Sequence, residues 1–221
     1  MHYIREETKT GKKQFSFYSD SCGGQNRNKH VLALLWYALN TLGLTEIMQT
    51  YFVSGHSQNE ADGVHSRIEQ TSDKIDIFTT PQWASCIRSA RRKPPMFQVN
   101  EMDLKDFWDI KEISNQIKNF DLDTNRMRIS WLKVKRIRIK NTDPNVIDMS
   151  YDYEDNSWFQ LSFSQRGRRQ LEVPDTKCIV LKQLRNEYIP VDEDKLRDLD
   201  VLCTKNLIPS VHHSFFKDLN H

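Results

Sequence analysis

One stretch of this sequence, residues 15–69, limits the fold more than any other, because its hydrophobic period changes three times. Aromatic and small residues alternate from Phe15 to Asp20, which is typical of a β-strand. Apolar residues then recur at helical spacing over residues 28–42, and a β-branched, aromatic segment follows over residues 47–53. The pattern predicts a strand, a long buried helix and a second strand.

A second helix is predicted directly after this second strand. Ser57 and Glu60 have the spacing of a capping box, which marks a helix N-terminus. Ala61, Val64 and Ile68 then form an apolar stripe at helical spacing. The whole stretch therefore predicts the order strand, helix, strand, helix.

Asp20 is the first candidate catalytic residue, because an acid at the end of a buried strand and before a glycine turn is held rigidly at a crevice. The alternative is that Asp20 caps the turn by accepting hydrogen bonds from backbone N–H groups. Asp62, at the head of the second helix, is the second candidate. If the two carboxylates lie within about 4–6 Å, they could bind Mg²⁺ or Mn²⁺ and activate an attack on a phosphodiester.

Three further residues of the second helix extend this candidate site. His65 and Glu69 follow Asp62 along one edge of the helix, so they could serve as outer ligands or as a proton shuttle. A helix surface carries such residues routinely, which is the structural alternative. Glu60 is an alternative acid to Asp62, although the capping box already explains it.

The formal net charge is only +2, but the positive charge is clustered at residues 88–93, 133–140 and 166–169. Clustered cations neutralise nucleic-acid phosphates locally, whereas the alternative for each cluster is a solvated face. The turn before the long helix could also bind phosphate at the helix N-terminus, but it has no nucleotide-binding glycine motif. The residues predicted to contact nucleic acid are Arg27, Lys29, Lys133, Lys135, Arg168 and Arg169.

Several other functions have little support. No apolar run approaches the roughly 18 residues of a membrane span, and the charged N-terminus has no apolar signal region. We therefore expect an intracellular protein without membrane contact, nuclear rather than cytoplasmic. Four widely separated cysteines predict free thiols rather than a zinc module, and the spacing of Cys22, His56 and His65 gives little support to a metal site.

Beyond about residue 125 the sequence becomes β-rich. Residues 146–153 and 158–163 predict a hairpin, residues 178–184 a further strand, and Asp192 the cap of a final helix. The predicted fold class is α/β, with a strand-helix-strand-helix core over residues 15–92 and a β-rich C-terminal region with a terminal helix. The predicted domains are residues 1–125 and residues 126–221.

Two motifs resemble those of a known family: S-D-x-C-G-G-Q-N-x-N at residues 19–28 and G-H-S-x-x-E-x-D-x-x-H-S at residues 55–66. The family is a large set of animal proteins, a domain of unknown function regarded as RNase H-like and derived from DDE-type DNA transposases. The resemblance extends more loosely through residues 81–90 and to residues 198–199 and 208–209. It implies a partial RNase H-like fold, Mg²⁺ or Mn²⁺ as cofactor and DNA as partner. It also implies Asp20 as the second acid of a triad, with Asp62, Glu60 or Glu69 as the third.

The sequence departs from the family ahead of Asp20. Such domains carry the first acid on an early strand of a three-strand meander, whereas only 14 residues precede Phe15, and Glu6 and Glu7 follow no strand pattern. We therefore expect an N-terminally truncated domain that is inactive by itself, binds nucleic acid, and completes its sheet with another copy or an N-terminal partner. The alternative is an active DDE-type nuclease or transposase whose first acid is supplied elsewhere.

Overall fold

The computed structural model describes residues 1–53 and 60–220 of the 221-residue chain. The chain forms two compact units: unit 1 comprises Met1–Ser57 and Asp106–Leu184, and unit 2 comprises Gln58–Lys105 and Arg185–His221. The helices are α1 (His2–Lys9), α2 (Lys29–Thr41), α3 (Glu60–Ser72), α4 (Thr80–Ser89), α5 (Lys111–Gln116), α6 (Glu193–Thr204) and α7 (His213–Lys217). The strands are β1 (Gln14–Ser19), β2 (Glu46–Tyr51), β3 (Arg136–Lys140), β4 (Val146–Ser150), β5 (Trp158–Ser162), β6 (Gln165–Arg166) and β7 (Arg169–Gln170).

Unit 1 is built on a five-stranded mixed sheet in the order β1-β2-β3-β4-β5. β1 and β2 are parallel and are connected by α2, while β3, β4 and β5 continue the sheet in antiparallel pairs. β6 and β7 form a separate small hairpin. The predicted α/β class and the predicted hairpin of β4 and β5 are therefore confirmed.

The core of unit 1 lies between α2 and one face of this sheet. Asn28 caps α2, and its Oδ1 accepts hydrogen bonds from the backbone N–H groups of His30 and Val31. Trp36 on the buried side of α2 packs edge-on against Phe163, with 5.8 Å between the ring centroids. Each large apolar side chain buried in this way stabilises the fold by about 1.5–3 kcal/mol. The fully buried residues that the strands contribute include Ile47, Ile137, Ile139, Ile147, Met149 and Leu161.

Unit 2 contains α3, α4, α6 and α7. The side chain of Gln82 accepts hydrogen bonds from the backbone N–H groups of Phe78 and Thr79, which fixes the start of α4. The ring of Phe78 stacks on His212, with 5.4 Å between the centroids. Asp192 caps α6 through its side chain, as predicted.

Two sequence predictions differ from the structure. Residues 178–184, predicted as a strand, follow a short 3₁₀ turn and have one isolated β-bridge, between Gln183 and Trp108. Asp175 favours the turn, because its side chain accepts a hydrogen bond from the N–H of Lys177. The predicted domains 1–125 and 126–221 do not coincide with the two units, because β3 pairs with β2 in one sheet.

The sequence predicted no membrane span and four free cysteine thiols, and the described part of the chain bears on both. There, no helix has the length and apolar character needed to cross a membrane. The four cysteines are free thiols, two of them buried and two exposed.

Candidate functional site

The turn between β1 and α2 holds Asp20 by two hydrogen bonds. Asp20 follows the last residue of β1, and its Oδ1 accepts bonds from the N–H of Cys22 at 3.2 Å and from Nδ2 of Asn26 at 2.6 Å. The carboxylate is exposed to solvent. Asp20 therefore caps its turn, which is the structural alternative that the sequence left open, and one of its two carboxylate oxygens is engaged in doing so.

The other polar residues of this motif also shape the turn. The carbonyl oxygen of Cys22 accepts hydrogen bonds from the N–H groups of Asn26 at 2.8 Å and Arg27 at 3.0 Å. Nδ2 of Asn28 donates to the carbonyl oxygens of Gly23 and Gln25, at 3.1 and 3.2 Å. The turn is thus closed by its own side chains before α2 begins.

Tyr51, the last residue of β2, fastens this turn to the sheet. Its hydroxyl donates to the carbonyl oxygen of Asn26 at 3.2 Å, and its own carbonyl oxygen accepts a 2.7 Å bond from the hydroxyl of Tyr153. The side chain is only 1 % exposed, and burial raises the pKa of Tyr51 well above its ordinary value, although the nearby charge of Arg27 acts in the opposite direction. Tyr51 consequently remains a neutral hydrogen-bond donor at ordinary pH.

A cavity of about 360 Å³, which we call the Arg27 pocket, lies beside this turn in unit 1. It includes Ser21, directly after Asp20, and Leu132. Basic and aromatic side chains form much of the lining. The basic residues are Arg27, Lys133 and Lys135, and the aromatic residues are Tyr51, Phe52, Tyr151 and Tyr153.

The guanidinium of Arg27, which lines this pocket, has N–H donors that are not fully hydrogen-bonded. Its Nη1 lies 3.5 Å from the carbonyl oxygen of Val134, which is the limit of a hydrogen bond, and its buried Nε has no partner in the described part of the chain. A buried donor without a partner is costly, so the protein groups around Arg27 do not fully satisfy its guanidinium. Burial also raises the pKa of Tyr153, and the charge of Arg27 again acts to lower it, which indicates that the guanidinium lies near both tyrosines.

The two lysines of the pocket differ in their surroundings. Lys135 is half-buried, and its Nζ lies 4.8 Å from the ring centroid of Tyr153, within cation–π distance. Lys133 is exposed. The lining thus combines one lysine whose ammonium group lies over an aromatic ring with one lysine that is exposed to solvent.

Three of the six residues predicted to contact nucleic acid, Arg27, Lys133 and Lys135, therefore come together. The other three do not line the pocket. Lys29 is exposed at the first residue of α2, and Arg168 and Arg169 are exposed at the β6–β7 hairpin. Their predicted role stays a prediction.

The basic residues of the cluster at 133–140 form two groups: Lys133 and Lys135 precede β3, and the others belong to it. The two arginines of that strand contact other protein groups: Arg136 pairs with Asp155 at 2.7 Å, and Arg138 pairs with Asp148 at 3.0 Å. Both guanidinium groups also lie over the ring of Trp158, at 4.7 and 4.3 Å from its centroid. These arginines stabilise the sheet, whereas the lysines that precede the strand line the pocket.

The other predicted catalytic residues, Glu60, Asp62, His65 and Glu69, are all exposed on α3. Asp62, His65 and Glu69 have the helical spacing of one edge, as predicted. They belong to unit 2 and Asp20 to unit 1, so the approach of Asp20 and Asp62 to within one metal ion's reach stays a prediction. His56 and Ser57 lie outside the described residues.

A divalent cation requires several carboxylate or other oxygen ligands around it. In residues 1–53 and 60–220, no group of three or more Asp, Glu, His or Cys side chains could hold a metal ion. Oδ1 of Asp20 already accepts two hydrogen bonds. Binding of Mg²⁺ or Mn²⁺ therefore stays a prediction from the resemblance, and we assign no reaction step to a metal.

Sequence reasoning did not select the tyrosines of this pocket. Tyr51 closes a strand, and Tyr151 and Tyr153 follow β4 at a spacing of two residues. Aromatic residues near basic clusters were the available signal, since aromatic and cationic side chains together are typical of nucleic-acid sites.

Comparison with known protein families matches residues 2–141, more than half of the chain, to a family described as a domain of unknown function (DUF7869). The matched range includes both motifs and the strands β1, β2 and β3. Neither the search of curated proteins nor that of solved structures found a match.

Proposed function

Since this chain belongs to the DUF7869 family of domains of unknown function, we propose a function from its own residues: unit 1 binds nucleic acid through the Arg27 pocket. The observation that carries the proposal is the convergence of Arg27, Lys133 and Lys135 in one cavity. These residues come from two segments about a hundred residues apart. None of the described lining residues is acidic, so the side chains that line the cavity carry a net positive charge.

The chemistry of the lining fits a phosphodiester backbone. Arginine and lysine bind phosphate by charge and by several N–H donors, and binding releases condensed counterions. The hydroxyl of Ser21 adds a neutral group of the kind that commonly contacts phosphate oxygens. Such contacts supply affinity without reading the sequence of the bases.

The proposal extends to ancestry. We propose a transposase-derived, RNase H-like domain with DNA as its partner and the nucleus as its location. Its support is the order of elements, in which the parallel strands β1 and β2 flank α2, Asp20 follows β1, and an acidic helix follows in the chain. This is the order that the resemblance of the two motifs implies.

We further propose that this chain is inactive as a nuclease by itself. The early acids Glu6 and Glu7 belong to α1, and they pair with Lys9 and Lys12 respectively. A catalytic acid of the expected kind would be on a strand. The alternative, an active DDE-type enzyme that receives its first acid from another chain, rests on the position of Asp20 after β1.

A partner that adds a strand has a place to bind under the same proposal. In the described part of the chain, β1 is an outer strand of the five-stranded sheet and pairs with β2 alone. Its sequence, Gln14–Ser19, contains no charged residue and no proline. Edges of this kind accept further strands, from a second copy or from an N-terminal segment.

The experiment that tests nucleic-acid binding is fluorescence anisotropy with a labelled oligonucleotide over a series of salt concentrations. The double variant Lys133→Glu/Lys135→Glu should bind at least tenfold more weakly than the wild-type protein. The slope of log K against log [salt] should become shallower by about one for each phosphate that the variant no longer neutralises.

Lys118→Glu is the matched control for this experiment. Lys118 is an exposed lysine of unit 1 that does not line the pocket. It carries the same type of charge reversal at one position instead of two, so its effect, counted twice, corrects for the change in net charge. Equal affinities for the double variant and the control would refute the proposed function, provided that circular dichroism finds both proteins folded.

A further inference from the structure

We propose that the Arg27 pocket receives one unpaired nucleotide of a single-stranded nucleic acid. In this arrangement the base lies against the rings of Tyr151 and Tyr153, and the phosphate lies beside Arg27 and Lys133. The inference rests on the proposed function and narrows it, because it names which form of nucleic acid the site prefers.

The aromatic part of the pocket is open to an incoming base. Tyr151 is 37 % exposed and Tyr153 is 39 % exposed, so part of each residue's surface is open to solvent. Phe52, another lining residue, stacks on Tyr18, with 5.9 Å between the centroids. Tyr18 is itself 63 % exposed, so the aromatic surface continues outward from the pocket along β1.

Both pocket tyrosines are held in position before any ligand arrives. The hydroxyl of Tyr153 donates to the carbonyl oxygen of Tyr51, and the hydroxyl of Tyr151 accepts a 2.8 Å bond from the N–H of Ser130. The ring of Tyr151 also packs on Phe159, with 4.6 Å between the centroids. Rings that are fixed at their hydroxyl ends lose little conformational entropy on binding, which favours stacking.

The positive charges are close enough to these rings to serve the same nucleotide. Nζ of Lys135 lies 4.8 Å from the ring centroid of Tyr153. Arg27 also lines the pocket, and its guanidinium is not fully satisfied by the described residues, because its buried Nε has no hydrogen-bond partner among them. Proteins that bind single strands combine such a cationic groove with rings on which the bases stack.

Base pairing decides which form of nucleic acid can contact both the basic and the aromatic residues of the pocket. In a duplex the faces of the bases are stacked inside the helix and cannot lie against a tyrosine ring. The phosphates of the nucleic-acid backbone remain on the outside, where a protein side chain can contact them. A duplex could therefore contact the exposed Lys133 but could not use the tyrosines. At about 360 Å³, the cavity is at the low end of ligand pockets, which span about 300–1,000 Å³, and this size suits a single nucleotide.

The test compares three fluorescein-labelled ligands of equal length at one salt concentration. They are a 12-nucleotide single strand, the same strand in a duplex, and a strand of the same length that is abasic at every position. We expect the wild-type protein to bind the single strand at least tenfold more tightly than either other ligand. The abasic strand is the matched ligand control, because it keeps every phosphate and removes only the stacking faces.

A pair of protein variants provides an independent test. Tyr151→Ala/Tyr153→Ala should weaken single-strand binding roughly tenfold or more and change duplex binding by less than about twofold. Tyr151→Phe/Tyr153→Phe keeps both rings but removes the hydroxyl bonds that fix them, so it should retain the preference for single strands and lose less affinity than the alanine pair. Circular dichroism of both pairs checks that each variant is folded.

The outcomes separate this inference from the function on which it rests. Duplex or abasic binding as tight as single-strand binding would overturn the inference and leave nucleic-acid binding in place. The same is true if the alanine pair, shown to be folded, keeps the preference for single strands. A failure of all three ligands to bind would overturn both proposals.

Discussion

Nδ2 of Asn26 donates a 2.6 Å hydrogen bond to Oδ1 of Asp20, so two residues of one sequence motif hold each other across the turn that follows β1. The backbone N–H of Cys22 donates to the same oxygen. The acid that the sequence selects as catalytic is therefore already a structural group. If Asp20 binds a cation, its carboxylate must do so while Oδ1 accepts these two hydrogen bonds.

Replacing Asp20 should reveal its structural role. Asp20→Ala removes the acceptor of both hydrogen bonds and should lower the free energy of unfolding by about 1 kcal/mol. Asp20→Asn keeps an oxygen acceptor, so it should lose less. Urea denaturation measures both changes. If the alanine variant is as stable as the wild-type protein, these bonds do not stabilise the turn.

Cleavage of DNA distinguishes the inactive domain from the alternative of an active enzyme. We expect no nicking of supercoiled plasmid by this chain alone with Mg²⁺ or Mn²⁺, because the mechanism needs several carboxylates around the metal. The early acids Glu6 and Glu7 are instead paired with lysines on and near α1. Nicking by the wild-type protein that disappears in Asp20→Asn would establish the active alternative.

Asn119 should be among the most sensitive positions of unit 1. It is 1 % exposed, and its Nδ2 lies within 3.0 Å of the carbonyl oxygens of Leu122, Ser162 and Gln165. Asn119→Ala removes the donor of all three bonds, of which the one to Ser162 is buried, and should lower the free energy of unfolding by about 3 kcal/mol. Chemical denaturation tests this, with the exposed Asn115→Ala as a control that should change stability by less than about 0.5 kcal/mol. Equal stability of the two variants would contradict the prediction.

His30 should make stability depend on pH. Its Nδ1 lies 2.6 Å from Oγ of Ser114. Burial lowers the pKa of His30, the charges of Lys29 and Lys111 lower it further, and Asp109 acts in the opposite direction. The unfolded chain therefore binds this proton more readily than the folded protein does.

The sign of the effect follows from this lowered pKa. The stability that neutral His30 contributes is present above its ordinary pKa, about 6.5, and is lost as the pH falls through the lower folded value. Between about pH 7.5 and 5.5, the free energy of unfolding of the wild-type protein should fall more steeply than that of His30→Gln. Denaturation curves at several pH values measure this difference, and parallel pH profiles would exclude His30 as the cause.

The elements of unit 1 could be predicted where local signals were strong. The helix predicted over residues 28–42 is observed as Lys29–Thr41, and Asn28 is its cap. Its apolar period and the change of period on either side are properties of the local sequence. The strand predicted over residues 178–184 was wrong because its local signal was weak. A short apolar run fits a strand, but it also fits an irregular segment that packs on a core.

The Arg27 pocket could be predicted only in part, because strand register assembles it. The N–H of Tyr51 donates to the carbonyl oxygen of Lys135, and the N–H of Lys135 donates to the carbonyl oxygen of Ser150, both at 2.8 Å. These two bonds bring the ends of three chain segments side by side, so that Lys135 lies near Tyr51 and Tyr151. No periodicity within a single segment contains that information.

By itself, the sequence determined the α/β class, the limits of α2, the hairpin of β4 and β5, and a set of candidate cations and acids, because period, capping and charge are local properties. Only the tertiary structure decided which cations act together. Arg136 and Arg138 are bound by acids and by Trp158, whereas Arg27, Lys133 and Lys135 line one pocket with tyrosines. The physical reason is that backbone hydrogen bonds between strands, distant along the chain, fix which side chains become neighbours.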